Sequence, residues 1–253
     1  MRNIKLTLSY DGTDFNGWQT QPGFRTVQET LEQAIQQLTG EERVRVNASG
    51  RTDTGVHAVG QVVNFLTASH HTSEVILRAV NAKLPADIVV REATEVAQEF
   101  DANRDAKRKL YRYVIHDGPV HDPFQRRYAY HCRYALDAAA MHQAALILRG
   151  RHDFHSFETE WPNRATSVRT ITHLAVNRCG EYLWLDVEAD GFLYNMVRAI
   201  AGTLINVGRG YWPVEQVARI LRAEDRNQAG PTAPPHGLFL MRVSYAEAAE
   251  SDS

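Results

Sequence analysis

Ser49-Gly50-Arg51-Thr52-Asp53-Thr54-Gly55-Val56-His57-Ala58 packs one carboxylate, one guanidinium and two glycines into a short break between two apolar segments. Upstream, Val44 and Val46 alternate with Arg43, Arg45 and Asn47; downstream, Gln61-Val62-Val63-Asn64-Phe65 is rich in strand formers. Both flanks read as β-strands, so the decamer is a loop between them. Gly50 and Gly55 let backbone approach a ligand closely, and loops on a rigid scaffold are where reactive side chains concentrate. Asp53 is therefore the first place to look for chemistry. Taken alone, Asp53-Thr54-Gly55 has a plainer and commoner meaning: a turn whose carboxylate bonds its own backbone, with Arg51 in a surface ion pair.

Asp-Thr-Gly is also the active-site tripeptide of aspartic proteases, in which two carboxylates share one proton. The context here is different. Arg51-Thr52 precede Asp53 and Val56-His57 follow the glycine, and no second Asp-Thr/Ser-Gly occurs in the chain. An Arg two residues away holds a carboxylate ionised, which opposes the shared-proton state.

The remaining sequence can support an enzyme. A chain of 253 residues with 43% hydrophobic residues suffices for one large domain or two of ordinary size. It contains no long uncharged apolar stretch, and Met1-Arg2-Asn3-Ile4-Lys5-Leu6-Thr7-Leu8 enters a strand pattern directly, unlike a signal sequence. Cys132 and Cys179 are far apart without metal-ligand spacing and read as reduced thiols of a cytoplasmic protein. His152-Asp153-Phe154-His155 has His spacing but no set of further ligands to complete a metal site.

A net charge of −2 looks wrong for a nucleic-acid enzyme, but its distribution matters more. Between residues 101 and 133 lie Arg104, Lys107, Arg108, Lys109, Arg112, Arg126, Arg127 and Arg133 against Asp101, Asp105, Asp117 and Asp122. A near-neutral total can hide a basic face; composition alone is equally compatible with ordinary solvated charges.

Periodicity gives the order of elements. Ile4, Leu6, Leu8 and Tyr10 mark a first strand, and Thr26-x-x-Glu29 is a capping box before a helix carrying Val27, Leu31, Ile35 and Leu38. A second helix is expected from Ser73 to Pro85, then strands at 88–90 and 109–115. The second half has a helix capped by Asp137, strands at 169–178 and 182–188, helices at 192–207 and 214–222, and a last strand at 238–243. Strand, helix, strands, helix, strand thus recurs, which suggests two related α+β domains with helices on one face of mostly antiparallel sheet. The divisions expected are 1–104, 105–245, and an acidic tail, 246–253, without fixed structure.

Ser49 to Ala58 closely resembles the active-site motif of the A-type tRNA pseudouridine synthases. Tyr10-Asp11-Gly12-Thr13-Asp14-Phe15-Asn16-Gly17-Trp18-Gln19 is similar to that family's first strand and turn, and Arg108-Lys109-Leu110-Tyr111-Arg112-Tyr113 to its basic-aromatic strand. Gly150 to Phe157, Phe192 to Arg198, Gly202-Thr203-Leu204 and Ala229 to Pro234 continue the resemblance in order through nearly the whole chain. Pro235-His236 departs from it, where small or charged residues are more usual.

The resemblance implies the pseudouridine synthase fold, with two sheets joined around a central active-site cleft. It implies uridine-to-pseudouridine isomerisation at positions 38, 39 and 40 of the tRNA anticodon stem-loop, by a homodimer that needs no cofactor or metal. By the same resemblance Asp53 is the catalytic carboxylate, Tyr111 stacks on the target uracil, and Arg198 salt-bridges and orients Asp53. Arg51 enters the RNA as the target base leaves it, and Leu238 belongs to the substrate-binding set. The basic segment from Arg104 to Arg112, with Arg126 and Arg127, would hold tRNA phosphates.

Overall fold

The computed structural model describes residues 1–159 and 166–246. In chain order its elements are β1 (Arg2–Tyr10), α1 (Val27–Thr39), β2 (Asn47–Ala48), β3 (His57–Thr67), α2 (Ser73–Asn81), β4 (Ile88–Val96), β5 (Ala106–His116), β6 (Tyr130–His131), α3 (Ala138–Ile147), β7 (Gly150–Asp153), β8 (Val168–Cys179), β9 (Tyr182–Ala189), α4 (Met196–Gly208), α5 (Gln216–Ala223) and β10 (Leu238–Tyr245). The chain forms two compact units, Met1–Arg108 with the residues from Leu240 onward, and Lys109–Phe239.

In the first unit the strand order is β4-β1-β3-β10, with β2 also paired to β3. β1 runs antiparallel to both neighbours, pairing Leu6 with Val63 and with Ala93. The alternation read from the sequence is realised: Ile4, Leu6, Leu8 and Tyr10 are buried, while Lys5, Thr7 and Ser9 between them are part-exposed. Helix α1 buries Val27, Leu31, Ala34 and Ile35, and α2 packs on α1 and β4 through Ile76 and Val80.

In the second unit the order is β5-β9-β8-β7, antiparallel throughout, with the short β6 parallel to β5. Helix α4 is buried at every position except Arg198, as a helix apolar all round must be. Helix α3 packs between β8 and α4, and its first turn is closed by Asp137, whose side chain accepts from the Ala140 N–H at 2.9 Å. The α+β class with mostly antiparallel sheet expected from the sequence is the one observed.

Three local expectations are corrected. The Thr26 capping box does not form: Thr26 is buried, its hydroxyl has no partner, and it makes no side-chain cap. The carbonyls of Gly17 and Trp18 instead accept from the N–H groups of Val27 and Gln28, so a neighbouring turn caps the helix. The strand expected over residues 43–47 is confined to Asn47–Ala48, and the Val46 N–H is taken instead by the Glu32 side chain of α1 at 2.9 Å. Residues 192–195 are not helical; Asn195, at φ 61°, turns the chain into α4.

The unit boundary also differs from the expected division at 104/105 with residues to 245 in the second half. Residues from Leu240 pack with the first unit: a Cβ on Gly60 of β3 would meet the Met241 carbonyl at 2.5 Å, and the Tyr245 hydroxyl donates to the Ala102 carbonyl at 2.8 Å. The acidic tail, apart from Ala246, lies outside the described residues. No helix among them is long and apolar enough to cross a membrane, and Cys132 and Cys179 are both free thiols.

One ion pair locks the second unit. Arg178 at the end of β8 reaches both oxygens of Asp117 at 2.8 Å, and Asp117 also accepts from the Leu136 N–H at 2.9 Å. Burial pushes this carboxyl up, but the guanidinium and the backbone donor outweigh it and leave it below the usual range. Its contribution is complete above the unfolded pKa of about 3.9 and is lost as the pH falls through the lower folded value. Asp117→Asn is expected to lose about 2 kcal/mol of stability at pH 7, with the gap from wild type narrowing as the pH falls below about 4, measured by urea unfolding across pH.

Candidate active site

Asp53 lies on the loop between β2 and β3, half-buried, with Thr52 buried before it and Arg51 exposed. Backbone and side chains fix this loop from several sides. Asp53 starts a turn in which its carbonyl accepts from the Val56 N–H at 3.1 Å. The Trp18 N–H donates to the Thr52 carbonyl at 3.0 Å, and the Gly55 N–H to that of Phe15. The Thr52 hydroxyl lies 2.9 Å from that of Tyr10, whose own pKa is pushed up to about 12 by burial.

The approach of the 10–19 segment explains two of its glycines. A Cβ on Gly12 would stand 2.0 Å from the Val56 carbonyl oxygen, and one on Gly17, at φ +81°, would stand 2.9 Å from that of Thr52. The two stretches noted separately in the sequence are therefore one clamp.

Gln61 was not foreseen. Fully buried in β3, it accepts from the Ser49 hydroxyl at 2.6 Å and donates to the Gly50 carbonyl at 2.8 Å, holding the upstream arm of the loop. The available signal was a polar residue beside Val62 and Val63, since a buried amide has to find partners.

In the second unit Tyr111 sits on β5, 8% exposed, its ring edge-on to Phe192 at 5.0 Å between centroids. Arg198, half-buried on the first turn of α4, donates through Nε to the Ala233 carbonyl and through Nη1 to the Asn195 side chain, both at 2.7 Å. The Ala233 N–H returns a bond to the Arg198 carbonyl at 3.1 Å. Beside Tyr111 on the same strand, the Tyr113 hydroxyl donates to the Pro234 carbonyl at 2.8 Å. The 229–237 loop is thus tied to both α4 and β5 and leads directly into Leu238, which is buried at the start of β10. Tyr111, Arg198 and Leu238 share this framework; Asp53 and Arg51 belong to the first unit's clamp.

The Pro235-His236 departure forms a 3-10 turn, Pro235–Gly237, packed so tightly that a Cβ on Gly237 would lie 2.8 Å from the Val114 carbonyl. His236 lines a cavity of about 160 Å³ with His116, His121, Asp122, His131 and Arg126, of which only Arg126 was expected to take part in binding, as a phosphate contact. No cluster of His, Cys, Asp or Glu suited to a metal ion occurs among the described residues.

Part of the basic segment is committed internally. Arg104 bonds Asp105 and the Glu99 carbonyl, and Arg112 makes a two-point bridge to Asp186 at 2.7 and 2.8 Å while lying over the Trp184 ring. Arg126 donates to the Pro123 carbonyl.

Comparison with known proteins agrees with the motifs. A family model described as tRNA pseudouridine synthase matches residues 7–103 and 144–246, which include Asp53, Arg198 and Leu238. The tRNA pseudouridine synthase A of Pelobacter propionicus is 46% identical over 97% of this chain and all of its own length. The enzyme of that name from Halalkalibacterium halodurans is 48% identical over 96% of this chain and 92% of its own, and that from Moorella thermoacetica 47% over 96% and 99%. Similarity of this extent, across both units and through the Asp53 loop, places the chain in the tRNA pseudouridine synthase family.

Proposed function

We propose that this protein isomerises uridine to pseudouridine at positions 38, 39 and 40 of tRNA anticodon stem-loops, in the cytoplasm, as a homodimer, with Asp53 as the reacting carboxylate. The observation that carries the reading is the family match across both units, which contains the Asp53 loop. The reaction breaks the bond from ribose C1′ to uracil N1, turns the base, and joins C1′ to C5, releasing the C5 proton and protonating N1. Its atoms and electrons balance within the nucleotide, so no redox partner is required.

A carboxylate suits either opening step, covalent addition to the substrate or removal of the ribose C2′ proton. Tyr111, with its hydroxyl-bearing ring set against Phe192, is assigned to stacking on the uracil. Arg198 is assigned to orienting Asp53. Its guanidinium is preorganised for such a task by the bonds to Ala233 and Asn195, which leave little freedom to be lost on use. Arg51, exposed two residues before Asp53, is assigned to the space vacated when the target base is extruded, a step that costs about a few kcal/mol. Leu238 completes the substrate-contacting set.

The test is tritium release from anticodon stem-loops labelled at uracil C5, with purified protein and no added cofactor. Release at one or more of the three positions is expected, accompanied by pseudouridine at the same site. Peptide hydrolysis without tritium release would instead favour a protease.

A further inference from the structure

Strand β5 carries four cations, and the structure sets one apart. Lys107 and Arg108 are exposed, and Arg112 is committed to Asp186 and Trp184 on the other face of the strand from Tyr111. Lys109 is half-buried and, two residues before Tyr111, shares the face that continues through Tyr113 and Ile115. Its neighbours on that face are apolar. Across the ladder Lys109 faces Ala189 and Tyr111 faces Val187, and Ile171 of β8 lies opposite Ala189 in turn.

Asp190, which follows the Ala189 that faces Lys109, already accepts from the Thr170 N–H at 2.9 Å. Among the described residues nothing pairs with the Lys109 ammonium, and its desolvation pulls its pKa below the usual lysine range. Holding a cation in such a place without an anion is costly, and the cost is removed if the substrate brings the anion. Residues i and i+2 of a strand stand about 7 Å apart, comparable to the separation of a base from its own backbone phosphate.

We propose that Lys109 binds a phosphodiester flanking the target uridine whose base lies on Tyr111, fixing the extruded nucleotide at its backbone while the ring holds its base. The proposal rests on the tRNA pseudouridine synthase reading given above. It selects one residue from a basic segment whose other members are exposed or already engaged.

The experiment measures binding of anticodon stem-loop RNAs by wild type and Lys109→Met. The RNAs carry either natural phosphates or one neutral methylphosphonate, placed 5′ or 3′ of the target uridine in separate molecules. One substitution in the RNA is expected to weaken wild-type binding about tenfold while leaving Lys109→Met, already about tenfold weaker, unchanged. The salt dependence of Lys109→Met should be shallower by about one released counterion, and Lys109→Arg should recover most of the affinity.

Equal sensitivity of the two proteins to both methylphosphonates would overturn the proposal. So would unaltered affinity of Lys109→Met, or a fall in kcat with binding and salt slope unchanged, which would place the ammonium on the base instead. Because these are binding measurements, they are independent of tritium release. A wild type that binds the RNA but releases no tritium would sink the functional reading and leave Lys109 still tested.

Discussion

Asp53→Ala is expected to reduce tritium release from C5-labelled tRNA by about 10⁴-fold or more while tRNA binding is retained, since loss of a reacting group removes stabilisation specific to the transition state. Much of what holds the loop does not pass through the carboxylate. The Thr52 carbonyl is held by Trp18, the Thr52 hydroxyl by Tyr10, and the Gly50 carbonyl by Gln61. The backbone carbonyl of Asp53, which accepts from the Val56 N–H, is kept by alanine as well. The loop should therefore survive with its reacting group removed, and the unfolding curve of the variant should show a folded protein at the assay temperature.

Asp53→Asn separates the chemical roles further. It keeps the size and hydrogen-bonding capacity of the side chain but is neither a carboxylate nucleophile nor a comparable base, so it should be as inactive as alanine. Wild-type rates in either variant would remove Asp53 from the reaction. With the carboxylate established, deuterium at ribose C2′ distinguishes its two possible uses. Abstraction of that proton gives a primary isotope effect when the step limits the rate, whereas covalent addition at C1′ does not break that bond.

The parts of this structure legible in the sequence are those governed by short-range periodicity. The alternation of β1 and the apolar face of α1 follow from patterns that local geometry imposes, and the Asp137 cap depends on a donor three residues away. What was misread depended on distant partners. Thr26-x-x-Glu29 has the letters of a capping box, but Thr26 makes no side-chain cap, and the first two helical N–H groups, of Val27 and Gln28, go to the carbonyls of Gly17 and Trp18. Val44 and Val46 are buried as their alternation implies, yet Glu32 takes the Val46 N–H that a ladder would have used.

The candidate site rests on the same kind of local signal. Asp53 stood out through its own loop, and Tyr111, Arg198 and Leu238 through resemblance over long motifs. The supports of these residues were hidden because they are tertiary. Gln61 reads as one polar letter in a strand, and nothing near Arg198 in sequence announces that its Nε will bond the carbonyl of Ala233. Charge was the least legible property. Arg112 and Lys109 are neighbours in one basic run, but strand alternation sends the first to Asp186 and leaves the second without a carboxylate among the described residues.

Gly202→Ala should be among the most destabilising single-methyl additions in this protein. In an isolated helix the change would help, by about 1 kcal/mol. Here the added carbon would stand 1.8 Å from the Pro231 carbonyl oxygen, less than any non-bonded contact can tolerate, so either α4 or the 229–237 loop must move. Neither can do so freely. The Gly230 N–H donates to the Thr203 hydroxyl at 2.9 Å, Ala233 and Arg198 exchange two bonds, and Pro234 accepts from Tyr113. A Cβ on Gly230 would likewise meet the Thr203 nitrogen at 2.5 Å, so the two backbones are packed as closely as glycine permits. Overpacking of about 3 kcal/mol outweighs the helix gain and leaves a net loss near 2 kcal/mol, or a fall in Tm of about 4–8 °C. Activity should fall more than stability requires, because relief of the clash draws the Ala233 carbonyl away from the Arg198 guanidinium. Measured well below the lowered Tm, kcat should drop about tenfold or more while the protein remains folded. An unchanged or raised Tm would mean that the loop yields without cost. A lowered Tm with wild-type kcat would mean that the bond from Arg198 to Ala233 supports the fold and does not set the geometry of the reaction.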